Sequence, residues 1–410
     1  MRNSTVGAVN RLTARWAAQA PDGDAGTVLT AAGVWPLLAF LADGSAGAAR
    51  AELAGALGIP ADAAAGAARE LLSALERVRG LRAATGLWTA EGMPWERRWL
   101  AELPPGTRGS LTGDADVDRK ALDAWAAGRT DGLIERMPAP LAADTRFVLA
   151  SALTLRIDWI RPFTEWSREI ADGPWAGRTV RMLHRHTALP DRVRVAHGTA
   201  GAVTLLEVVG AAGVDVHLVL GEPEAPAGDT LGTGIAAVTR ALPTVGARTL
   251  PLGAAGPGLF IDTVRTTTPE PLLSVATAAF EVRAEHNLLD QARLFGLEAA
   301  RDVDGGHFPG ISGEPLGIGS ARQYALARFH AEGFDAAAVT AFAAVGAGLP
   351  RLRYRVRRVA VTYDRPFGFL AVHRTSRLVL AAGWVTEPEE AAEWREDEED
   401  EEDEQAEEEY

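Results

Sequence analysis

The chain has 410 residues, 47% hydrophobic and 23% charged, the ordinary balance of a folded protein with enough chain for one large core. Its net charge of −14 sits in one place: residues 389–410 hold 15 acids against one arginine, Arg395, which leaves 40 acidic and 40 basic side chains elsewhere. A neutral body argues against nucleic acid and anionic membrane as partners, and the lack of cysteine excludes disulfides, thiolate catalysis, zinc–cysteine sites and iron–sulfur clusters.

The first third reads as helices. Val9–Gln19 is amphipathic, Val34–Leu41 is apolar throughout, Ala48–Leu57 is closed by Gly58 and Pro60, and Ala64–Val78 sets Leu71, Leu72, Leu75 and Val78 on one face. Thr85–Trp88 is a short strand, and Ala121–Met137 is a helix with Trp125 and Ile134 inward, stopped by Pro138 and Pro140. From Thr145 the period shortens towards two. Thr145–Ile160 is a long strand, Val203–Val209 and Val214–Leu220 form a hairpin, and Leu259–Arg265, Phe280–Arg283 and Tyr324–Phe329 add strands. Val359–Val361, Phe367–Val372 and Leu378–Val385 close the body as strands. Gly221–Gly228 and the stretch from Glu332 to Pro350 read as long exposed connections. Helices first and strands later give an α+β class with large antiparallel or mixed sheets.

The start of the chain lacks the apolar run of a secretion signal, and no segment approaches the roughly 18 apolar residues of a membrane span. A soluble, cytoplasmic monomer is the expectation. Motifs for catalysis fail in turn. There is no Gly-x-Ser-x-Gly, and Lys120 is the only lysine, which removes P-loop, Schiff-base and Ser-x-x-Lys chemistry. His184-Arg185-His186 reads as a solvated loop, since no third ligand lies near in sequence. Gly232-Thr233-Gly234 reads as a turn, and Asp114 and Asp116 as surface carboxylates. No catalytic residue, metal or cofactor is expected.

The order of local patterns resembles the serpin family, in its intracellular, bacterial-type form. LADGSAGAARAELAGALGIP resembles an early family segment. Leu122, Asp123, Trp125, Thr130, Gly132 and Ile134 resemble the helix that crosses the family's large sheet. TRFVLASALTLRIDWIRPF, with Trp159, Pro162 and Phe163, resembles the central strand entering the breach. Phe308, Gly310, Ile311 and Ser312 resemble its Phe-x-Gly-Ile-Ser segment, and Asp364, Arg365, Pro366 and Phe367 its Asp-Arg-Pro-Phe strand; Gly383, Val385 and Pro388 follow as expected.

The resemblance implies one domain over residues 1–388, with three sheets, surrounding helices and an exposed reactive-centre loop, followed by an acidic, disordered tail over 389–410. It implies a suicide inhibitor that traps the acyl-enzyme of a serine protease by inserting the cut loop into the large sheet. The alternative is a non-inhibitory serpin, a binding or scaffold protein whose loop is cut without trapping. The implied hinge is Gly333, Phe334, Asp335, Ala336, Ala337, Ala338, Val339 and Thr340. As a strand, its uncharged parity (Phe334, Ala336, Ala338, Thr340, Phe342, Ala344) would face inward. Family spacing puts the reactive bond at Ala347–Gly348, which suits elastase-like or subtilisin-like proteases.

Several positions depart from the family. Phe334 stands where a small residue is usual, and its bulk would slow threading. Ala331 replaces a hinge glutamate. Beneath the sheet Thr30, Gly33, Ser151 and Gln323 replace the usual polar cluster; Trp159 keeps its place in the breach. Arg351, Arg353, Arg355 and Arg357 alternate along a strand, with Arg358 beside them. They read as a solvated edge strand, or as a partner for the acidic tail.

Overall fold

A computed structural model describes residues 2–20, 25–137, 141, 145–334 and 352–391. Asp335–Thr340, Ala347 and Gly348 lie outside them, as do residues 392–410 of the acidic segment. No helix among the described residues is long and apolar enough to cross a membrane.

Helix α1 (Asn3–Ala17) leads to β1 (Thr27–Leu29), α2 (Ala31–Gly44), α3 (Gly47–Leu57) and α4 (Ala61–Leu75). Then come β2 (Leu81–Ala90), α5 (Arg97–Glu102), β3 (Arg108–Leu111) and α6 (Ala115–Arg129). The strands β4 (Phe147–Leu155), β5 (Ile157–Asp158), β6 (Thr164–Glu169), β7 (Thr179–Thr187), β8 (Val193–Gly198), β9 (Gly201–Val209) and β10 (Val214–Leu220) precede α7 (Ala227–Val238). After α7 run β11 (Val245–Gly246), β12 (Gly253–Gly256), β13 (Leu259–Thr266), β14 (Leu272–Ala278) and β15 (Phe280–Asn287). The short α8 (Ala292–Phe295) is followed by β16 (Ser320–Phe329), β17 (Gly333–Phe334), β18 (Tyr354–Tyr363), β19 (Phe367–His373) and β20 (Val379–Val385).

These strands make three sheets. One runs β1-β20-β19-β10-β9-β8-β11, a second β12-β13-β18-β14-β7-β6, and the third, the large sheet of the site, β3-β2-β4-β16-β17-β5 with β15 on the far side of β16. Helix α2 is apolar on every side and almost wholly buried, as a helix enclosed by other elements must be. Helix α6 lies across the opposite face of the large sheet, where Leu122 and Ala126 pack with Trp88, Val148, Ala150 and Ala152. Its approach is close: a methyl on Gly86 would meet the Trp125 ring at 2.8 Å. Thr130 closes the helix by donating to the Ala126 carbonyl (2.7 Å) and accepting from the Ile134 amide (3.0 Å), and Asp123 caps the Met137 amide (2.7 Å).

The structure revises several expectations. Helix α6 begins at Ala115 and ends at Arg129, short of Met137. Gly232-Thr233-Gly234 lies inside α7, and Gly228 lies at its start. Two of these glycines sit at close packing contacts: a methyl on Gly234 would sit 2.9 Å from Val219, and one on Gly228 2.6 Å from the Ala18 carbonyl. His184-Arg185-His186 is strand β7, not a loop, with the two histidine Nε2 atoms 2.8 Å apart. No group of three His, Cys, Asp or Glu is arranged to hold a metal among the described residues. Strand β18 is interior, between β13 and β14, so its arginines do not line an edge. Arg358 pairs with Asp262 and Arg357 donates to the carbonyls of Ala247 and Leu250.

Candidate functional site

The site is the seam between the two central strands of the large sheet. Strands β4 and β16 are parallel and pair directly from Val148↔Ser320 to Leu153↔Ala325, so nothing lies between them at that level. Above, they part, and β17 fills the gap antiparallel to both sides. Phe334 pairs with Phe329 on one side and Ile157 on the other, and Gly333 pairs with Asp158. A strand antiparallel to each member of a parallel pair can hydrogen-bond to both.

Trp159 holds the turn that reverses the chain into β17. Its indole N–H donates to the His330 carbonyl (2.9 Å) and its amide to the Glu332 carbonyl (2.9 Å), while its ring lies 4.9 Å from that of Phe329. The Phe163 amide donates to the Ala331 carbonyl (2.7 Å), and the His330 amide to that of Gly333 (2.9 Å). Ala331 is buried, so backbone hydrogen bonds anchor the turn where a charged side chain was missed in the sequence.

Six residues below the mouth of the seam lies a buried polar group. Gln323, fully buried on β16, makes two hydrogen bonds to one residue: its Oε1 accepts from the Thr30 amide (3.0 Å) and its Nε2 donates to the Thr30 carbonyl (2.8 Å). Thr30 caps α2, its hydroxyl accepting from the Gly33 amide (3.3 Å). Ser151 is the strand partner of Gln323 across the seam and of Thr85 on the other side. The hydroxyls of Ser151 and Thr85 are buried and have no hydrogen-bond partner among the described residues. Gly33 leaves room for Ser151, since a methyl there would come within 2.6 Å of its Oγ. The structure therefore brings Thr30, Gly33, Ser151 and Gln323 into one cluster, with Trp159 at the mouth above it.

His286 was not found in the sequence. It is the β15 partner of Gln323, and its Nε2 lies 2.9 Å from the Val28 carbonyl. Burial holds its pKa below the ordinary histidine range against the opposing pull of that carbonyl. His186 and His373 are lowered for the same first reason, and His217 on β10 is pushed down to about 4. A histidine with a lowered folded-state pKa binds protons more readily when unfolded. Its stabilisation is complete above the unfolded value of 6.5 and is lost as pH falls towards the folded value. For His217 the gap is on the order of 3 kcal/mol. The thermal midpoint should fall from pH 7.5 to pH 5, with His217→Gln flattening the slope; a flat wild-type profile would contradict this.

Residues 8–172 match the family model described as Serpin (serine protease inhibitor). Solved structures agree over nearly the whole chain. Human thyroxine-binding globulin in complex with thyroxine aligns with a TM-score of 0.70 at 16% identity, covering 95% of this chain and 99% of that one. The chain has the serpin fold. The native state of tengpin, a thermophilic serpin, aligns at 0.71 and 14% identity over 94% and 93% of the two chains. Serpin48 of the insect Tenebrio molitor aligns at 0.68 and 19% identity over 94% and 98%. Curated proteins give no match. Serpins are in general inhibitors of serine proteases and not catalysts, and the three sheets described above are those of the serpin fold.

Proposed function

We propose that the chain is a suicide inhibitor of a serine protease that accepts small residues, elastase-like or subtilisin-like, and that the seam between β4 and β16 receives its cut loop. The carrying observation is β17: Gly333 and Phe334 already pair antiparallel with both sides above a closed seam. Continuing that register, six residues beyond Phe334 is Thr340. Six before Phe329 is Gln323, and six before Ile157 is Ser151. Thr340 would enter between the very two residues that now pair with each other, so the strands need only part sideways.

The same register fixes the face. The odd residues of β16 from Ala321 to Phe329 are buried, and a strand continuing the β17 register would bring Ala336, Ala338 and Thr340 to their side of the sheet. The parity free of charge is the one that would go inward. Phe334 is a smaller obstacle than its size suggests, because its backbone is already paired and threading starts at Asp335.

In this reading the protease serine attacks the carbonyl of Ala347. The bond to the Gly348 nitrogen breaks, that nitrogen leaves protonated, and the ester remains. Insertion then competes with hydrolysis of the ester, and each 1.4 kcal/mol on the insertion barrier shifts the race tenfold. The test is a denaturing gel after mixing with pancreatic elastase and with subtilisin. A band that survives denaturant, at the summed mass less the fragment beyond the cut, is expected, and the mass of the released C-terminal fragment gives the bond. Cleavage within residues 335–351 with no such band, for the wild type and for Phe334→Thr alike, would establish the non-inhibitory alternative instead.

A further inference from the structure

Away from the seam, two imidazoles meet on the second sheet. His184 and His186 stand two positions apart on β7, and residues at that spacing share one face of a strand. His186 is exposed and His184 half-buried. Arg185 between them turns to the other face, where its guanidinium lies 4.3 Å over the Phe163 ring. Strand β7 is held on both sides, by β6 and by β14, so its backbone fixes where the two histidines start.

The side chains converge. Their Nε2 atoms are 2.8 Å apart, the ring centroids 4.2 Å apart and the ring planes at 86°. Rings joined end to end by a linear N–H···N bond would stand further apart, so the two nitrogens meet at an angle. Among the described residues neither imidazole has another hydrogen-bond partner. The neighbours are oxygen donors: Thr164 on β6 pairs directly with His184, and Ser274 on β14 pairs directly with His186. Directly paired residues share a face, so two hydroxyls flank the two imidazoles.

We propose that His184 and His186 form a two-imidazole site for a divalent transition cation of the zinc, nickel or copper type, with water held by Thr164 and Ser274 in its remaining positions. Each imidazole gives the ion the Nε2 lone pair and carries its proton on Nδ1. A tetrahedral ion with Zn–N bonds of about 2.0–2.1 Å sets its nitrogens about 3.3 Å apart, so the rings need open by about 0.5 Å. Imidazole suits these ions, whereas Mg²⁺ and Ca²⁺ take oxygen ligands. No group of three His, Cys, Asp or Glu is placed to hold a metal among the described residues, so the ion would keep open positions and exchange, unlike one in a closed structural site. The inference is independent of the inhibitor reading, since no residue of the seam takes part.

The test is isothermal titration of the full chain, free of any affinity tag, with Ni²⁺, Zn²⁺ and Cu²⁺, each with and without excess Mg²⁺. The Mg²⁺ occupies the carboxylates of residues 389–410 and leaves imidazole free. Saturable one-to-one binding of Ni²⁺ and Zn²⁺ at micromolar concentration is expected in excess Mg²⁺, with Cu²⁺ tighter than both. His184→Ala and His186→Ala should each weaken it about a hundredfold, the advantage of two linked ligands over one, with the circular dichroism of the metal-free protein unchanged. Ser274→His sets a third imidazole opposite His186 and should tighten binding about tenfold or more. The proposal is overturned if neither Ni²⁺ nor Zn²⁺ binds saturably, if binding survives either histidine substitution at full strength, or if excess Mg²⁺ abolishes it, which would assign it to carboxylates.

Discussion

Under the proposed inhibitor mechanism, Thr340→Arg should leave a protein that is cut as a substrate and does not trap. Once inserted, a strand continuing the β17 register would bring position 340 to the level of Gln323 and Ser151, on the face where Gln323 is buried against Thr30. Among the described residues that cluster offers two hydroxyls without partners, on Ser151 and Thr85, and no carboxylate. A threonine fits: its hydroxyl can meet that of Ser151. A guanidinium cannot, and an unpaired buried charge costs about 3–5 kcal/mol. If half of that appears in the insertion barrier, insertion slows at least tenfold. Position 340 lies seven residues before Ala347, so the attack itself should proceed at its normal rate. The covalent band should vanish for Thr340→Arg and persist for Thr340→Ser. Cut wild-type protein should melt well above the intact form, and cut Thr340→Arg should not. A variant that still traps at wild-type stoichiometry would remove position 340 from the seam and with it the register argument.

Much of this frame is legible in the sequence because the residues that carry it act locally or at tight contacts. Gly310 and Ile311 stand out since the Gly310 amide donates to the Gly44 carbonyl (3.0 Å) and a methyl on Gly44 would strike Ile311. Phe367 stands out since its ring is enclosed by those of Tyr363, Phe280 and Trp175. What escaped was non-local. His286 gains its place by pairing across β15 and β16 with Gln323, 37 positions away, and nothing within β15 announces it. Strand β6 is exposed nearly throughout and lacks the alternation that marks a half-buried strand; its pairing with β7 alone defines it. Helix α7 carries three glycines, two of them at close packing contacts, that propensity reads as turns. The Arg357 and Arg358 stripe looked solvated because its partners, the Ala247 and Leu250 carbonyls and Asp262, belong to the β11–β13 region, about a hundred residues earlier.

The beginning of the acidic segment shows the same effect of distance. Glu389 bonds through its backbone to Ala279 and Arg181, its carboxylate lies 3.1 Å from Arg181 and 3.5 Å from His330, and Glu390 and Glu387 both reach Arg178. The side-chain partners of these first acids lie on β7, just before it and at the hinge turn. The alternating arginines of β18 are not among them. Exposed pairs of this kind are individually worth about 0–1 kcal/mol, so their meaning is positional: they fix where the segment leaves the body, beside the turn that admits β17.

The second large effect is expected beneath the seam. Gly33→Ala alone places a methyl 2.6 Å from the Ser151 Oγ, with both residues enclosed by α2 and β4. Alanine is about 1 kcal/mol better than glycine inside a helix, but overpacking a closed core costs about 1–3 kcal/mol, so the single variant should be destabilised. Ser151→Ala removes a buried hydroxyl without a described partner and should be neutral or stabilising. Together the two should fit, because the alanine methyl takes the volume that the hydroxyl vacates, and the helix propensity gain is then realised. A coupling of about 1–3 kcal/mol follows, with the double variant at least as stable as wild type. Because the proposed insertion would make the native state kinetically held, the quantity to measure is the unfolding rate in denaturant for all four proteins. Additive effects would mean that α2 and β4 already adjust independently at this level. Strong coupling would mean that the lower seam is packed to its limit, so that a strand can enter only by moving β4 and α2 apart from β16 together.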